Sequence, residues 1–236
     1  MAPTVWHEFT PLANECQAVN LGQGFPGWSA PDFVKQALHQ ATNANHNQYA
    51  RSAGHMRLVQ VLAKKYTKPL NRVGSGPNGA GIDPLTEVVV TTGATEALFG
   101  VTQGLLNPGD EVIVMEPSFD IYLAQVDMAG GVPKTIPLRA VDVEDDESGT
   151  SVNGEEKKMA SNNSNSKAKK KMTKKKWVFD IEEFKNAFTP KTRMVLINTP
   201  HNPTGKVMTR SELEQIAEVV KAHPNVVVVT SCMSGR

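Results

Sequence analysis

Three stretches of the chain place a turn rich in ligand-holding residue types directly after an apolar, β-branched run. The first is residues 91–99, TTGATEALF, behind EVVV. Gly93 allows the turn and a helix starts near Ala94. The free N–H groups of that helix's first turn, with its dipole, attract an anion such as a phosphate, and the Thr95 hydroxyl adds a donor. An ordinary strand–turn–helix reads the same way. The second is residues 198–206, NTPHNPTGK, behind RMVLIN. Two X-Pro pairs and a following glycine keep this backbone out of helix. It can therefore aim the Asn202 amide from the carboxyl edge of a sheet, where α/β proteins place ligands. A proline-rich turn with asparagine capping its own backbone is the alternative, and the length of the string favours function. The third is residues 116–122, EPSFDIY, behind EVIVM. Phe119 ends a strand and opens a helix, so its ring can stack on a flat ligand or simply join the core. Two further stretches lie nearer the amino terminus. Residues 20–28, NLGQGFPGW, hold Gly22 and Gly24, which permit close approach or only a flexible entry loop. Residues 47–54, NQYARSAG, hold Tyr49, whose hydroxyl can reach a phosphate or pack at a surface.

Positioning these turns requires strands that end at one edge. The expected strands are residues 87–91, 111–115, 132–138, 193–198 and 225–230, short and Val-rich as when both faces of a sheet are covered. Helical patterns lie at 31–41, 55–66, 94–106, 119–129, 180–187 and 210–222, the last with Ser211 as its expected cap. This alternation predicts an α/β fold on a mostly parallel sheet.

Residues 141–176 break the pattern: an acidic block (DVEDDE), a Ser/Asn/Gly-rich middle, then KAKKKMTKKK. With almost no large apolar side chains the stretch is expected to be a disordered, solvated insertion. A partner-binding or localisation role for its lysines is the alternative. The glycine-rich residues 74–81 are followed by a strand rather than a helix, so they read as a plain loop and not a phosphate cradle. The 236 residues carry a net charge of +1, which argues against nucleic-acid or anionic-membrane attraction. The two cysteines, Cys16 and Cys232, show no disulfide or metal spacing. Neither a membrane-spanning run nor a secretory or mitochondrial leader is visible, so a soluble protein, cytoplasmic or mitochondrial, is expected.

Taken together, NLGQGFP, NQYARSAGH, TTGATEALF, EPSFDIY and NTPHNPTGK stand in the order and spacing of one family. The chain resembles class I/II (fold-type I) pyridoxal-phosphate-dependent aminotransferases, nearest to kynurenine–oxoglutarate transaminases and cysteine-S-conjugate β-lyases. The resemblance implies a three-layer sandwich: an amino-terminal arm over residues 1–30, then part of a cofactor-binding large domain over 31–236, interrupted at 141–176. It implies pyridoxal 5′-phosphate as cofactor, its phosphate held by Gly93, Ala94 and Thr95. By the same resemblance Phe119 stacks on the cofactor ring and Asn202 bonds the ring oxygen and the substrate carboxylate. Gly24 and Trp6 face the substrate, and Tyr49 reaches the phosphate in the neighbouring subunit of a homodimer. The implied reaction passes an amino group from a kynurenine-like, aromatic or glutamine donor to a 2-oxo acid, or eliminates from a cysteine conjugate.

The resemblance also has a gap. Cys232 stands about where the family has the aspartate that pairs with the ring nitrogen, and the Ser-x-x-Lys and arginine motifs that follow are absent. Residues 164–167 match Ser-x-x-Lys by letter only, inside the insertion, and Lys206 does not match the cofactor-linking position. The chain as it stands is expected to be a truncated, catalytically silent piece with an exposed apolar face, or a non-catalytic dimer partner of a complete subunit.

Overall fold

A computed structural model describes residues 5–22, 24, 27–68, 81–143 and 174–232. They fall into two units, Met1–Met56 and Arg57–Arg236. The first unit carries helices α1 (Trp6–Glu15) and α2 (Asp32–Asn43). Neither has a buried residue. Sequence reading missed α1 because Pro11 sits inside it, where proline removes a hydrogen bond and normally ends a helix.

Helix α3 (Met56–Thr67) starts at the last residue of the first unit and continues into the second. There follow α4 (Gly93–Leu105), β1 (Glu111–Glu116), α5 (Asp120–Met128), β2 (Val132–Pro137), β3 (Arg139–Val143) and β4 (Lys174–Val178). The unit closes with α6 (Ile181–Asn186), β5 (Thr192–Asn198), α7 (Arg210–Lys221) and β6 (Val227–Ser231). Four strands form one parallel sheet in the order β2-β1-β5-β6.

The side-chain period of two sorts the two central strands into two cores. Ile113, Met115, Val195 and Ile197 point to one face, where they meet Phe184 of α6 and Ile216 and Val219 of α7. Val112, Val114, Met194 and Leu196 point to the other, where they meet Leu98 of α4 and Tyr122 and Val126 of α5. The result is the helix–sheet–helix sandwich expected from Val-rich strands with no polar side. The strand order reverses between β1 and β5: the chain leaves β1 through α5 for β2 on one side, and leaves β5 through α7 for β6 on the other. Such a reversal opens a crevice between the two outgoing loops at the strands' carboxyl ends.

At the opposite edge Glu111, 7% exposed, holds three elements together. Its carboxylate accepts from the Thr189 hydroxyl at 2.6 Å and pairs with Lys134 at 3.4 Å.

Three sequence expectations change here. Residues 87–91 form no strand, because no neighbouring strand among the described residues offers them a ladder. Residues 141–143 and 174–176, read as ends of a disordered insertion, belong to the antiparallel pair β3–β4, with Val141 opposite Lys176. The pair is tied to α6 through Arg139, which donates to both oxygens of Glu183 at 2.8 and 2.7 Å. The rest of the insertion lies outside the described residues, as do residues 74–80 of the glycine-rich stretch. Finally, α7 is capped by Thr209 rather than Ser211. Thr209 accepts from the Glu212 N–H while the Glu212 carboxylate accepts from the Thr209 N–H, a reciprocal capping box.

Candidate functional site

Helix α4 begins at Gly93, whose φ of +77° is a left-handed conformation that favours glycine. The Gly93 N–H turns back to the Thr91 carbonyl at 2.8 Å. The Glu96 carboxylate accepts from the Thr92 N–H, a negative group at the helix's positive end. Gly93, Ala94 and Thr95 are exposed. Buried Gln125 of α5 donates to the Thr95 carbonyl at 2.9 Å, which ties this turn to the helix that starts beyond β1.

Phe119 follows β1 and caps α5 in an extended conformation. It is half-buried and meets Tyr122 edge-on, with ring centroids 5.7 Å apart at 90°. The ring packs against the core on this face of the sheet.

Asn202 follows β5, on the other side of the reversal. Its N–H donates to the Asn198 side-chain oxygen at 2.5 Å, and the Asn198 amide nitrogen donates to the Ser231 carbonyl at 2.9 Å. Buried Asn198 thus joins the ends of β5 and β6 beneath Asn202. The peptides preceding Pro200 and Pro203 are both cis. The loop closes on itself, with the His201 N–H donating to the Lys206 carbonyl at 2.8 Å and the Gly205 N–H to the His201 carbonyl at 2.7 Å. Buried Lys206 anchors it from below, donating to the Glu212 carboxylate at 2.6 Å and the Trp177 carbonyl at 3.0 Å. Asn198, His201 and Lys206 were not singled out as supports by sequence reading. Their residue types carry no signal until their partners are known.

The second unit thus gathers Phe119 and Asn202 at the carboxyl ends of adjacent strands and bonds the Gly93–Thr95 turn to α5. The remaining predicted residues lie in the first unit. The Trp6 ring lies against Gly22 and lines an apolar hollow of about 380 Å³ with Phe9, Val19 and Leu21. Gly24 is exposed with open space around it, and Tyr49 is fully exposed. Among the described residues no three His, Cys, Asp or Glu side chains are placed to hold a metal ion. No helix among them is long and apolar enough to cross a membrane. Neither Cys16 nor Cys232 is in a disulfide.

Three titrating groups of this unit, His201, Glu212 and Glu111, are shifted in one direction. Burial, helped by nearby Lys206, holds the His201 imidazole below its ordinary 6.5, against a bond to the Met115 backbone. For Glu212 burial works upward but is outweighed by hydrogen bonds from Lys206 and Thr209. For Glu111 it is outweighed by the Thr189 hydroxyl and Lys134, so both carboxylates lie below 4.5. In each case the unfolded chain binds the proton more readily than the folded one, so stability is whole at higher pH and is lost on acidification. The expected urea midpoint is flat above pH 6.5, declines below it as His201 charges, and drops more steeply below 4.5. His201→Gln should remove the upper part of that decline. A midpoint that rises as the pH falls from 7 to 5 would contradict the assignment.

Comparison with known proteins places this arrangement. The family described as aminotransferase class I and II matches residues 17–231. A kynurenine–oxoglutarate transaminase of Dictyostelium discoideum is 41% identical over 230 residues, covering 97% of this chain and 47% of that protein. The structure of N-succinyldiaminopimelate aminotransferase from Mycobacterium tuberculosis superposes with a TM-score of 0.73 at 36% identity, covering 97% of this chain and 49% of that one. Aspartate aminotransferase from Thermus thermophilus, solved with maleate, gives 0.73 at 28% identity, covering 99% and 51%. The chain spans about half the length of the curated relatives it matches. A match running through the crevice loops and both helical layers shows that the chain belongs to the class I and II aminotransferases.

Proposed function

We propose that this chain supplies the main grip on pyridoxal 5′-phosphate in an aminotransferase that moves an amino group from a kynurenine-like, aromatic or glutamine donor to a 2-oxo acid. The observation that carries the reading is the strand-order reversal, with Phe119 and Asn202 on its two outgoing loops. The donor set fits the cofactor. Gly93 has open space where a side chain would stand, so a phosphate can approach the backbone N–H groups of Ala94 and Thr95 and the Thr95 hydroxyl. The Phe119 ring offers a flat face, and the Asn202 amide can donate to the phenolic oxygen of the cofactor or to a substrate carboxylate. When bound, the cofactor supplies the electron sink for charge developing at the substrate α-carbon. The protein's part is to fix the ring's plane and rotation. Phe119 sets the plane, the Gly93–Thr95 turn pins one end, and Asn202 pins the opposite side.

Trp6 and Gly24 line the substrate side in this reading. The full exposure of Tyr49 supports a hydroxyl that reaches out of its own subunit to the phosphate of a second copy in a homodimer. The printed names of the kynurenine–oxoglutarate relatives support the choice of donor.

Pyridoxamine 5′-phosphate tests the grip, since it has the ring and phosphate but no aldehyde to condense with surface lysines. It should bind the 236-residue chain saturably in equilibrium dialysis. Asn202→Ala should weaken binding about tenfold, the effect of losing one or two hydrogen bonds. Unsaturable binding, or binding indifferent to Asn202, would overturn the reading. Supplied with kynurenine, phenylalanine or glutamine and 2-oxoglutarate, this chain alone should release no glutamate. Lys206, the lysine nearest Asn202 in sequence, is buried and committed to Glu212 and Trp177. Glutamate release would refute the expected silence.

A further inference from the structure

Gln125 lies on the buried face of α5 with Tyr122 and Val126, and is 4% exposed. Both companions belong to the apolar core. An amide in such a place costs free energy unless it is hydrogen-bonded, whereas a methionine would fill the same space without that cost. The Gln125 Nε2 donates to the Thr95 carbonyl at 2.9 Å. Only the nitrogen end of an amide can bond a carbonyl oxygen, so this partner fixes which way the group points. A carbonyl within a helix accepts the N–H four residues on and keeps a second lone pair for such a donor.

The bond holds a turn that has little else to hold it. Residues 92–96 are all exposed, and the first buried residue of α4 is Leu98. Their other hydrogen bonds are local: the Thr91 hydroxyl donates to the Gly93 carbonyl, the Gly93 N–H to the Thr91 carbonyl and the Thr92 N–H to Glu96. Among the described residues, Gln125 is the hydrogen-bonding group that reaches this turn from another element. Packing of Leu98 with Tyr122 and Val126 presses α4 onto α5, but apolar contact is non-directional and sets no register. A hydrogen bond to one carbonyl does. Phe119 is the N-cap of the same helix, six residues before Gln125 and about 9 Å from it along the axis. Helix α5 is therefore a spacer, with the Phe119 ring at its start and the Gly93–Thr95 turn bonded farther along.

We propose that Gln125 is a positioning residue that holds the Gly93–Thr95 turn at one distance and angle from Phe119, so that the phosphate and the ring of one ligand are gripped together. This rests on the cofactor reading above. The separation of phosphate and ring in the cofactor is set by its covalent structure, so both grips are satisfied at one spacing only.

The test separates the phosphate's share of binding from the ring's. Pyridoxamine and pyridoxamine 5′-phosphate differ by the phosphate alone. The ratio of their dissociation constants for the whole chain therefore measures what the turn contributes. A variant that merely lowers the folded fraction weakens both ligands by the same factor and leaves the ratio unchanged. Gln125→Met keeps the length of the side chain but has no N–H. It should reduce the ratio roughly tenfold, the worth of one hydrogen bond to a charged group, with pyridoxamine binding unaltered. Asn202→Ala, on the ring side, should weaken both ligands and keep the ratio. Where pyridoxamine binds too weakly to measure, the constant for pyridoxamine 5′-phosphate, corrected for the folded fraction from urea unfolding, should itself rise about tenfold in the methionine variant. A methionine variant with the wild-type ratio, or with an unchanged corrected constant, overturns the role of Gln125 while leaving the cofactor reading in place. A wild-type ratio near one also overturns it. No saturable binding of pyridoxamine 5′-phosphate by wild type overturns the cofactor reading and this inference with it.

Discussion

Phe184→Ala is expected to lower the unfolding free energy by about 3–5 kcal/mol, the range for deleting a fully buried aromatic ring. Phe184 is the one buried residue of the short helix α6 and is wholly inaccessible. Its ring is T-shaped to Phe179 at 6.4 Å and to Phe188 at 5.2 Å, and Phe188 stacks on His223 at 4.3 Å. The same ring belongs to the core beneath Ile113, Met115, Val195 and Ile197. Alanine would leave a cavity and unseat α6 together. A loss of that size is a large part of the roughly 5–15 kcal/mol available to a domain. With a urea dependence of about 2 kcal/mol per molar, the midpoint should fall by roughly 2 M. Phe184→Leu, which keeps much of the volume, should cost far less. A shift below about 1 kcal/mol for the alanine variant would mean that this layer is not a cooperative part of the fold.

The second large effect is expected at Lys206→Met, about 2–4 kcal/mol, the cost of stripping one partner from a buried, hydrogen-bonded ion pair. Lys206 Nζ is the group that satisfies the Trp177 carbonyl of β4 and neutralises Glu212. Glu212 in turn caps α7 through Thr209, accepting its N–H at 2.7 Å. The methionine keeps the stem's packing, so the loss isolates the charge. Glu212→Gln removes the orphaned carboxylate and keeps an acceptor for the cap. The double variant should therefore cost less than the sum of the single ones by about 1 kcal/mol or more, the sign of direct coupling. Additive costs would show that the two groups do not act as a pair. Because the pair also supports the Asn202 loop, pyridoxamine 5′-phosphate should bind the lysine variant more weakly even where it is fully folded.

The sheet was readable because β1 and β5 are apolar runs with no polar alternation, as a doubly covered strand needs, and β6 is a Val run beside them. The helices around it follow from their apolar spacing. What escaped the sequence had a physical reason each time. Helix α1 contains Pro11 and buries nothing, so its pattern argues against it. The β3–β4 pair is built from charged residues held by backbone pairing and the Arg139–Glu183 contact, with little apolar alternation to reveal it. Residues 87–91 carry strand composition, but a ladder needs a neighbour as well as a propensity. The Thr209–Glu212 box was present as a four-residue signature and lost to the nearer Ser211. For the candidate site, Phe119 and Asn202 could be picked out from turn chemistry because each follows a strand, and Gly93 because it follows a run of strand composition and opens a helix. Asn198 and Lys206 act on backbone groups far along the chain, and no local pattern encodes such partners.

The alternation of β1 and β5 between two cores has a consequence for how such a protein can change. Neither strand has a solvent side, so nearly every position along them is closed to a polar or differently sized replacement. Freedom to vary is confined to the segments that leave the strand ends. A new ligand preference can therefore arise by altering those segments alone, while the platform beneath them stays the same.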